Sequence, residues 1–357
     1  MKTFIKVIIW ALLSIMMQAG VFLFLDKVYF KETTDVQVEE VAQPSVKSKD
    51  IDVNIPQTAE NILASSDSRY ISYNDNGSLK VIDVSTAQVK DINPSEDAEI
   101  LYSTWVPKNN IILMAEKRYN KQTGDYGIFL TTYNVKNDVR NDIKKEGENT
   151  KQICTYFEGT KVNNVVSSHQ TGVTYVCVSK SEGKTAIYRI DTNSDISNIG
   201  NKVSSIEQMQ VFQHLDILIY KDAINGTIYK YNNENLEKIN TSAYPNGVAI
   251  IGLTNSNLMV LGVYDQNKKI TSVIQGKYDT DVSTWTKIDL EKPKELRDIF
   301  INEDDQIVVN DSLAGKVKNL ATNEYISYEG KIICITNKAI ISNDGGKIYL
   351  KSVKDVD

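Results

Sequence analysis

From residue 60 to the end of the chain, short runs of alternating apolar and polar residues come in pairs, each pair joined by a turn rich in Asn, Asp, Ser or Gly. In residues 69–74, Tyr70, Ile71 and Tyr73 mark the first run; in residues 79–84, Leu79 and Val81 alternate with Lys80 and Asp83. This is the two-residue period of a strand. Between the runs stands Asn74-Asp75-Asn76-Gly77, and an Asn-Gly pair supplies the positive-φ positions of a tight hairpin turn. A second polar turn over residues 83–88 then leads to a short outer strand over 89–92. One such unit cannot cover its own apolar face, so neighbours of the same kind are expected.

Seven pairs of runs meet this description: residues 69–74 with 79–84, 110–117 with 127–134, 172–179 with 185–191, 215–221 with 226–232, 257–265 with 270–278, 306–311 with 315–320, and 338–344 with 347–353. Spread over residues 60–357 they average about 43 residues each, close to the ~40–45 of a four-stranded propeller blade. The chain is therefore expected to be all-β, a β-propeller of seven four-stranded blades preceded by one transmembrane helix. Six or eight blades are also compatible with the uneven spacing, which is widest over residues 144–161. The last unit ends before it supplies an outer strand. Residues 51–56, Ile-Asp-Val-Asn-Ile-Pro, alternate like a strand and are expected to complete it, removing an exposed edge and closing the ring.

Ahead of the repeats, residues 7–25 form a 19-residue apolar run broken only by Ser14, Gln18 and Gly20, nearly enough to cross a hydrocarbon core of about 30 Å. A cleaved signal peptide is the rival. Its apolar region is usually only ~7–15 residues long and ends in a small-residue cleavage site, whereas here residues 21–25 stay apolar after Gln18-Ala19-Gly20. An uncleaved signal anchor is expected, with Trp10 near one interface and Tyr29 and Phe30 near the other. Lys2 and Lys6 are matched by Lys27 and Lys31, so charge does not set the orientation. The short N-terminus is assigned to the cytoplasm because the far larger body follows the span. Residues 1–30 are thus the tip and anchor, 31–50 a charged, aperiodic stalk, and 51–357 an extracytoplasmic propeller.

Composition narrows the function classes. With 41% hydrophobic and 24% charged residues the chain is globular rather than disordered, and its Asn, Lys, Ile and Tyr content suggests an AT-rich bacterial genome. Net charge is −6, of which the first 31 residues carry +3, leaving −9 on the remainder. Such a body is ill suited to a phosphate backbone, so no nucleic acid is expected as partner. Cys154, Cys177 and Cys334 lack zinc or redox spacing; Cys177 and Cys334 read as buried thiols in apolar strands. A bridge between Cys154 and Cys177 is conceivable but not deducible from sequence.

Residues 65–92 resemble one repeat of the WD40-like propellers related to the C-terminal domain of TolB and the N-terminal propeller of dipeptidyl peptidase IV. Ser66-Asp67-Ser68 stands for the Ser-x-Asp-Gly turn, with Ser68 in the usual Gly position. Arg69 to Tyr73 and Leu79 to Asp83 supply the two strand signatures. The match covers one blade of about 28 residues and is skeletal elsewhere. It implies the fold and no particular activity. No GxSxG is present, and no hydrolase domain is expected after the propeller.

No catalytic, cofactor-binding or metal-binding residue is assigned, and no cofactor is expected. His169 and His214 read as loop residues, and there is no HExxH. Glu182-Gly-Lys-Thr185 fails as a phosphate loop because Val178 occupies the first Gly position. Asp191-x-Asn193-x-Asp195 fails as a calcium loop because Ile196 replaces the Gly and Lys202 the closing Glu. Asn302-Glu-Asp-Asp305 reads as a solvated turn. Trp105 and Trp285 are expected to pack between blades. The leading expectation is a non-enzymatic protein-binding or scaffold module whose loop face engages a protein or polymer of the cell envelope. The alternatives are a sensor of a small ligand or glycan at the propeller channel and, behind it, a hydrolase using paired carboxylates.

Overall fold

The computed structural model describes residues 2–24, 49–95, 97–144, 149–180, 185–199, 205–302, 304–336 and 338–353. The chain divides into two compact units, Met1–Ser45 and Val46–Asp357. Of the first unit, a helix α1 (Lys2–Phe24) is described; Trp10, Met16, Met17 and Phe22 stand exposed on it. Among the described residues no helix is long and apolar enough to cross a membrane. Leu25, Tyr29, Phe30 and most of the expected stalk, through residue 48, lie outside the described residues.

The second unit opens with β1 (Lys49–Asn54) and then builds seven sheets. The first blade is β2 (Glu60–Ala64), β3 (Tyr70–Asp75), β4 (Ser78–Asp83) and β5 (Gln88–Ile92). The second is β6 (Glu99–Trp105), β7 (Ile111–Asn120) and β8 (Asp125–Asn134), with β9 (Val139–Asp142) and β10 (Cys154–Thr155) sharing the outer edge of β8. The third is β11 (Lys161–Ser167), β12 (Thr174–Ser179), β13 (Thr185–Ile190) and β14 (Ile196–Asn198). The fourth is β15 (Ile206–Val211), β16 (Ile217–Asp222), β17 (Ile228–Asn232) and β18 (Asn235–Ile239). The fifth is β19 (Val248–Leu253), β20 (Leu258–Tyr264), β21 (Ile270–Lys277) and β22 (Thr286–Lys294). The sixth is β23 (Ile299–Ile301), β24 (Ile307–Asp311), β25 (Lys316–Asn319) and β26 (Tyr325–Ser327). The seventh is β27 (Lys331–Ile335), β28 (Ala339–Asp344) and β29 (Lys347–Ser352), completed by β1.

Each expected pair of runs is the middle hairpin of a blade, and the turn chemistry is as read. Asn76 and Gly77 both have positive φ, 49° and 82°, the pair a type I′ turn needs. Ser68, in the usual Gly position, also lies in the left-handed region at φ 59°. β1 runs antiparallel to β29, and Ile55 N–H donates to Gly346 O at 2.8 Å. Ile51, Val53 and Ile55 are thereby buried among Ile341, Ile348 and Leu350 of the last blade.

The first strands of consecutive blades face one another around the centre. Six of these seven break register at the same place, for example between Ile100 and Tyr102 in β6 and between Val162 and Asn164 in β11. The bulge turns polar side chains sideways onto the next blade. Gln208 Nε2 donates to Ile250 O at 2.6 Å and Gln208 Oε1 accepts from Ile250 N–H at 2.9 Å. Asn164 Nδ2 reaches Met209 O at 3.5 Å, and Tyr102 OH donates to Asn164 Oδ1 at 3.4 Å. Apolar clusters fill the spaces between blades. Trp105 packs there with Tyr70, Leu79 and Met114, and Trp285 with Phe212, Val248 and Ile274, as expected of both.

One buried charge is held in the second blade. Glu116 is fully buried, and its carboxylate accepts from Arg140 Nη1 at 2.6 Å, Arg118 Nε at 2.8 Å, Ser95 Oγ at 3.0 Å and Thr131 Oγ1 at 3.2 Å. Arg118 also pairs with Asp142 at 2.8 Å, so two guanidinium groups balance two carboxylates. Arg140 additionally donates to Asn93 O in the link from the first blade. Burial opposes ionisation of Asp142, but hydrogen bonds from Arg118 and Thr150 outweigh it and hold its carboxyl below the ordinary 3.8. A carboxyl with a depressed folded pKa stabilises the fold above its unfolded pKa and loses that contribution as pH falls through the folded value. Melting temperature is therefore expected to fall on acidification below about pH 4, and Asp142→Asn should flatten that dependence; an unaltered acid profile in Asp142→Asn would remove Asp142 from the account.

Candidate binding face

The turns joining first and second strands gather at one end of the ring, and their polar groups are spent on holding blades together. Asp67 Oδ2 accepts from Asn110 Nδ2 of the second blade at 2.9 Å, and Ser68 Oγ lies 2.6 Å from Thr336 Oγ1 of the seventh. Burial works against the Asp67 carboxylate, but the bonds from Asn110, Ser65 and the Arg69 backbone keep its pKa below the ordinary value. Asn109 Nδ2 meets His169 Nδ1 at 3.1 Å, linking the second and third blades. Gln213 accepts from Ser168 Oγ and His169 N–H at 2.9 and 3.0 Å, linking the third and fourth. Asp305 accepts from Asn255 N–H at 2.5 Å and Ser256 N–H at 2.8 Å, linking the fifth and sixth. The expectation that residues 302–305 form a merely solvated turn is thus corrected: Asn302 does cap the turn, through Gln306 N–H at 2.9 Å, but Asp305 is a clasp between blades.

A channel mouth of about 300 Å³ opens at this end, lined from four blades by Leu63, Trp105, Ile301, Cys334 and Thr336 among others. Two of its polar groups are committed: Trp105 Nε1 donates to Leu63 O at 3.4 Å, and Thr336 Oγ1 accepts from Ala339 N–H at 3.0 Å. None of its described lining residues is Asp or Glu.

The opposite end carries the turns between second and third strands and differs in character. β7 and β8 have 10 residues each, against four to eight for their counterparts in other blades, so their hairpin runs on for roughly 10 Å at about 3.4 Å per residue. Pairing persists to Tyr119↔Tyr126 and Asn120↔Asp125. The lengthened segment after β9 returns to brace it: β10 pairs with Gly127 and Ile128, and Tyr156 N–H donates to Tyr126 O at 2.8 Å. Gln152 lies over Gly127, where a Cβ would sit 2.4 Å from its side chain, and its Oε1 accepts from Asn120 Nδ2 at 2.6 Å. On this braced hairpin Tyr119 and Tyr126 pack edge to face at 5.5 Å yet stay half exposed, and Phe157 beside them is 55% exposed. Lys117 Nζ sits 4.6 Å from the Tyr156 ring and 5.3 Å from the Tyr126 ring. Rigid, half-exposed aromatics of this kind are favoured as binding anchors.

On the same end, a cleft of about 960 Å³ lies between the fourth and fifth blades. One wall is the β16–β17 turn, from Ala223 to Thr227; the other is the link of residues 240–247, with Tyr264 and Lys268 of the next turn. Both walls are held internally, by Gly226 N–H to Asp222 O at 3.0 Å and Gly247 N–H to Tyr244 O at 2.9 Å. Lys221, 5% exposed, pairs with Glu207 at 2.9 Å. Lys221 and Lys268 each hold an ammonium 5.3 Å from the Tyr264 ring, and Lys238 approaches Tyr229.

The remaining candidates fall outside both features. His214 lies in a bend between β15 and β16 and His169 in the clasped turn. Asp191 accepts from the N–H groups of Asn193 and Asp195 at 2.9 Å each, and Asp195 pairs with Lys151, so this segment forms a capped turn. Residues 182–184 of the Gly-Lys-Thr segment lie outside the described residues. All three cysteines are free. Cys177 is buried as expected and its thiol pushed up to about 12 by burial; Cys334 is only half buried by exposure, though desolvation likewise pushes it up to about 12.

Seven radial antiparallel sheets, closed by a strand from the start of the second unit, make the body a seven-bladed β-propeller. Comparison with one solved structure agrees on the fold, and two others resemble the chain more loosely. A chain of the Mitotic Checkpoint Complex crystal structure superposes with a TM-score of 0.51 at 9% identity, covering 87% of this chain and 95% of that one. TolB from Acinetobacter baumannii gives 0.41 at 15% identity, over 82% of this chain and 63% of that one. A luciferin-regenerating enzyme gives 0.42 at 6% identity, over 88% and 97%. No family model matches the chain, and no curated protein does.

Proposed function

We propose that this chain is a membrane-anchored, extracytoplasmic propeller that binds a protein partner of the cell envelope and has no catalytic role. The observation that carries this reading is the projecting hairpin of the second blade, with Tyr119, Tyr126 and Phe157 half exposed on a braced support. Large rigid aromatics at a projecting edge lose little conformational entropy on docking and bring much apolar area. The clasped end supports the same reading by contrast, since its polar side chains are turned inward to join blades. The anchor is supported by the 19-residue run at 7–25, apolar except for Ser14, Gln18 and Gly20, most of which lies in α1. Trp10, Met16, Met17 and Phe22, exposed on that helix, would then lie in lipid.

Affinity capture of the full-length chain from native membranes, under gentle crosslinking, tests the proposal. One protein partner is expected, with recovery reduced at least about tenfold in a Tyr119→Ala/Tyr126→Ala variant, on the scale of loss of an aromatic hot spot. Recovery of no partner, or of the same partner in equal amount by the variant, would overturn it.

A further inference from the structure

The cleft between the fourth and fifth blades is cationic on an anionic body. Its described lining carries Lys221, Lys238 and Lys268 against Glu207 alone, a balance of +2, whereas the chain beyond residue 31 carries −9. Lys221 is neutralised by Glu207. Lys238 and Lys268 are not: among the described residues neither pairs with a carboxylate, and Lys268 only donates to Asn246 O at 3.3 Å. The carboxylates of the flanking turns are turned away onto backbone amides, Asp222 onto Ile224 N–H at 2.9 Å and Asp265 onto Asn267 N–H at 2.8 Å. Ammonium groups lining one concave volume raise the positive potential there more than scattered surface lysines would.

We infer that this cleft binds a short carboxylate-rich peptide segment. Lys presents a point charge that suits a single anionic oxygen, and within the protein-partner reading that oxygen is a carboxylate. A long polyanion is disfavoured because it would have to continue over the acidic body. A sugar is disfavoured because the Tyr264 ring already carries two ammonium groups and is not a bare stacking platform. The volume of about 960 Å³ is that of a site for a few residues. The inference rests on the reading of the ring as a protein-binding module, and adds a second site, with its own chemistry, to the same end of the ring.

Its test needs no native partner. Binding of a fluorescent hexaglutamate peptide to the full-length chain in zwitterionic nanodiscs is expected, weakening several-fold between about 50 and about 300 mM salt. Lys238→Gln/Lys268→Gln should weaken it about tenfold with an unchanged melting curve, while Tyr119→Ala/Tyr126→Ala leaves it intact. Absence of peptide binding, equal binding by the double-Gln variant, or tighter binding of an oligogalacturonate of the same charge would each overturn the assignment. Because the peptide is a pure reagent, these outcomes are independent of whether the hairpin captures a partner.

Discussion

Deleting residues 49–54, which removes β1, is expected to lower the melting temperature by well over 10 °C or to abolish cooperative folding. The strand places Ile51 and Val53 in the core of the last blade, at 1% and 9% exposure, and positions Ile55, at 3%, just beyond it. Burying three such side chains is worth roughly 5 to 9 kcal/mol in total, an upper figure because the unfolded chain already shields some of that surface. The net stability of a folded protein is only about 5–15 kcal/mol. Deletion would also bare the edge of β29, a template for unwanted pairing. A synthetic peptide of residues 46–56 should restore part of the lost stability when added in excess, since it supplies the missing edge. A melting temperature unchanged within a few degrees would show that the ring closes without its clasp.

Glu116→Ala is expected to cost about 3–5 kcal/mol, the usual penalty for removing one partner of a buried ionic network. Arg118 and Arg140 both aim guanidinium groups at this carboxylate, at side-chain exposures of 15% and 23%. Without it, among the described residues only Asp142, which pairs with Arg118, remains to balance them. The loss should spread beyond the second blade, because Arg140 also ties down Asn93 and Ser95 in the link from the first. Thermal melts give the readout, a fall of about 2–4 °C for each kcal/mol in a protein of this size. Glu116→Gln keeps the shape but not the charge and should fall between wild type and Glu116→Ala. Indistinguishable melts for all three would mean that the network contributes no net stability.

The middle hairpins of the blades were legible because they obey local rules. Tyr70 to Asn74 and Leu79 to Asp83 alternate with period two, and Asn76-Gly77 can hardly be anything but a tight turn. The clasp was legible for a related reason: the last repeat lacked a strand, and residues 51–56 had an unclaimed alternation. The innermost strands were harder to see. Their bulges, as between Ile206 and Gln208 in β15, break the alternation that marks a strand, since one extra residue moves every later side chain to the other face. Asp305 read as a turn residue for the same local reason, its neighbours being Asn302 and Asp304. Its bonds to Asn255 and Ser256 span about fifty residues and exist only once the fifth and sixth blades are side by side.

By itself, then, the amino-acid order determined the repeat, its turns, the apolar N-terminal run and the strand that closes the ring, all properties of neighbours along the chain. The end proposed to bind was decided by tertiary structure. Lys221 and Lys238 lie in β16 and β18 and Lys268 in the β20–β21 turn, and nothing in their spacing joins them; packing of the fifth blade against the fourth brings them to one cleft. Tyr119 and Tyr126 fall between the expected runs 110–117 and 127–134; strand pairing carries the hairpin out to them, and the return of residues 152–156 braces it and leaves them half exposed. Exposure and charge convergence depend on which surfaces the seven blades cover, and that is settled by packing between units rather than by periodicity within one.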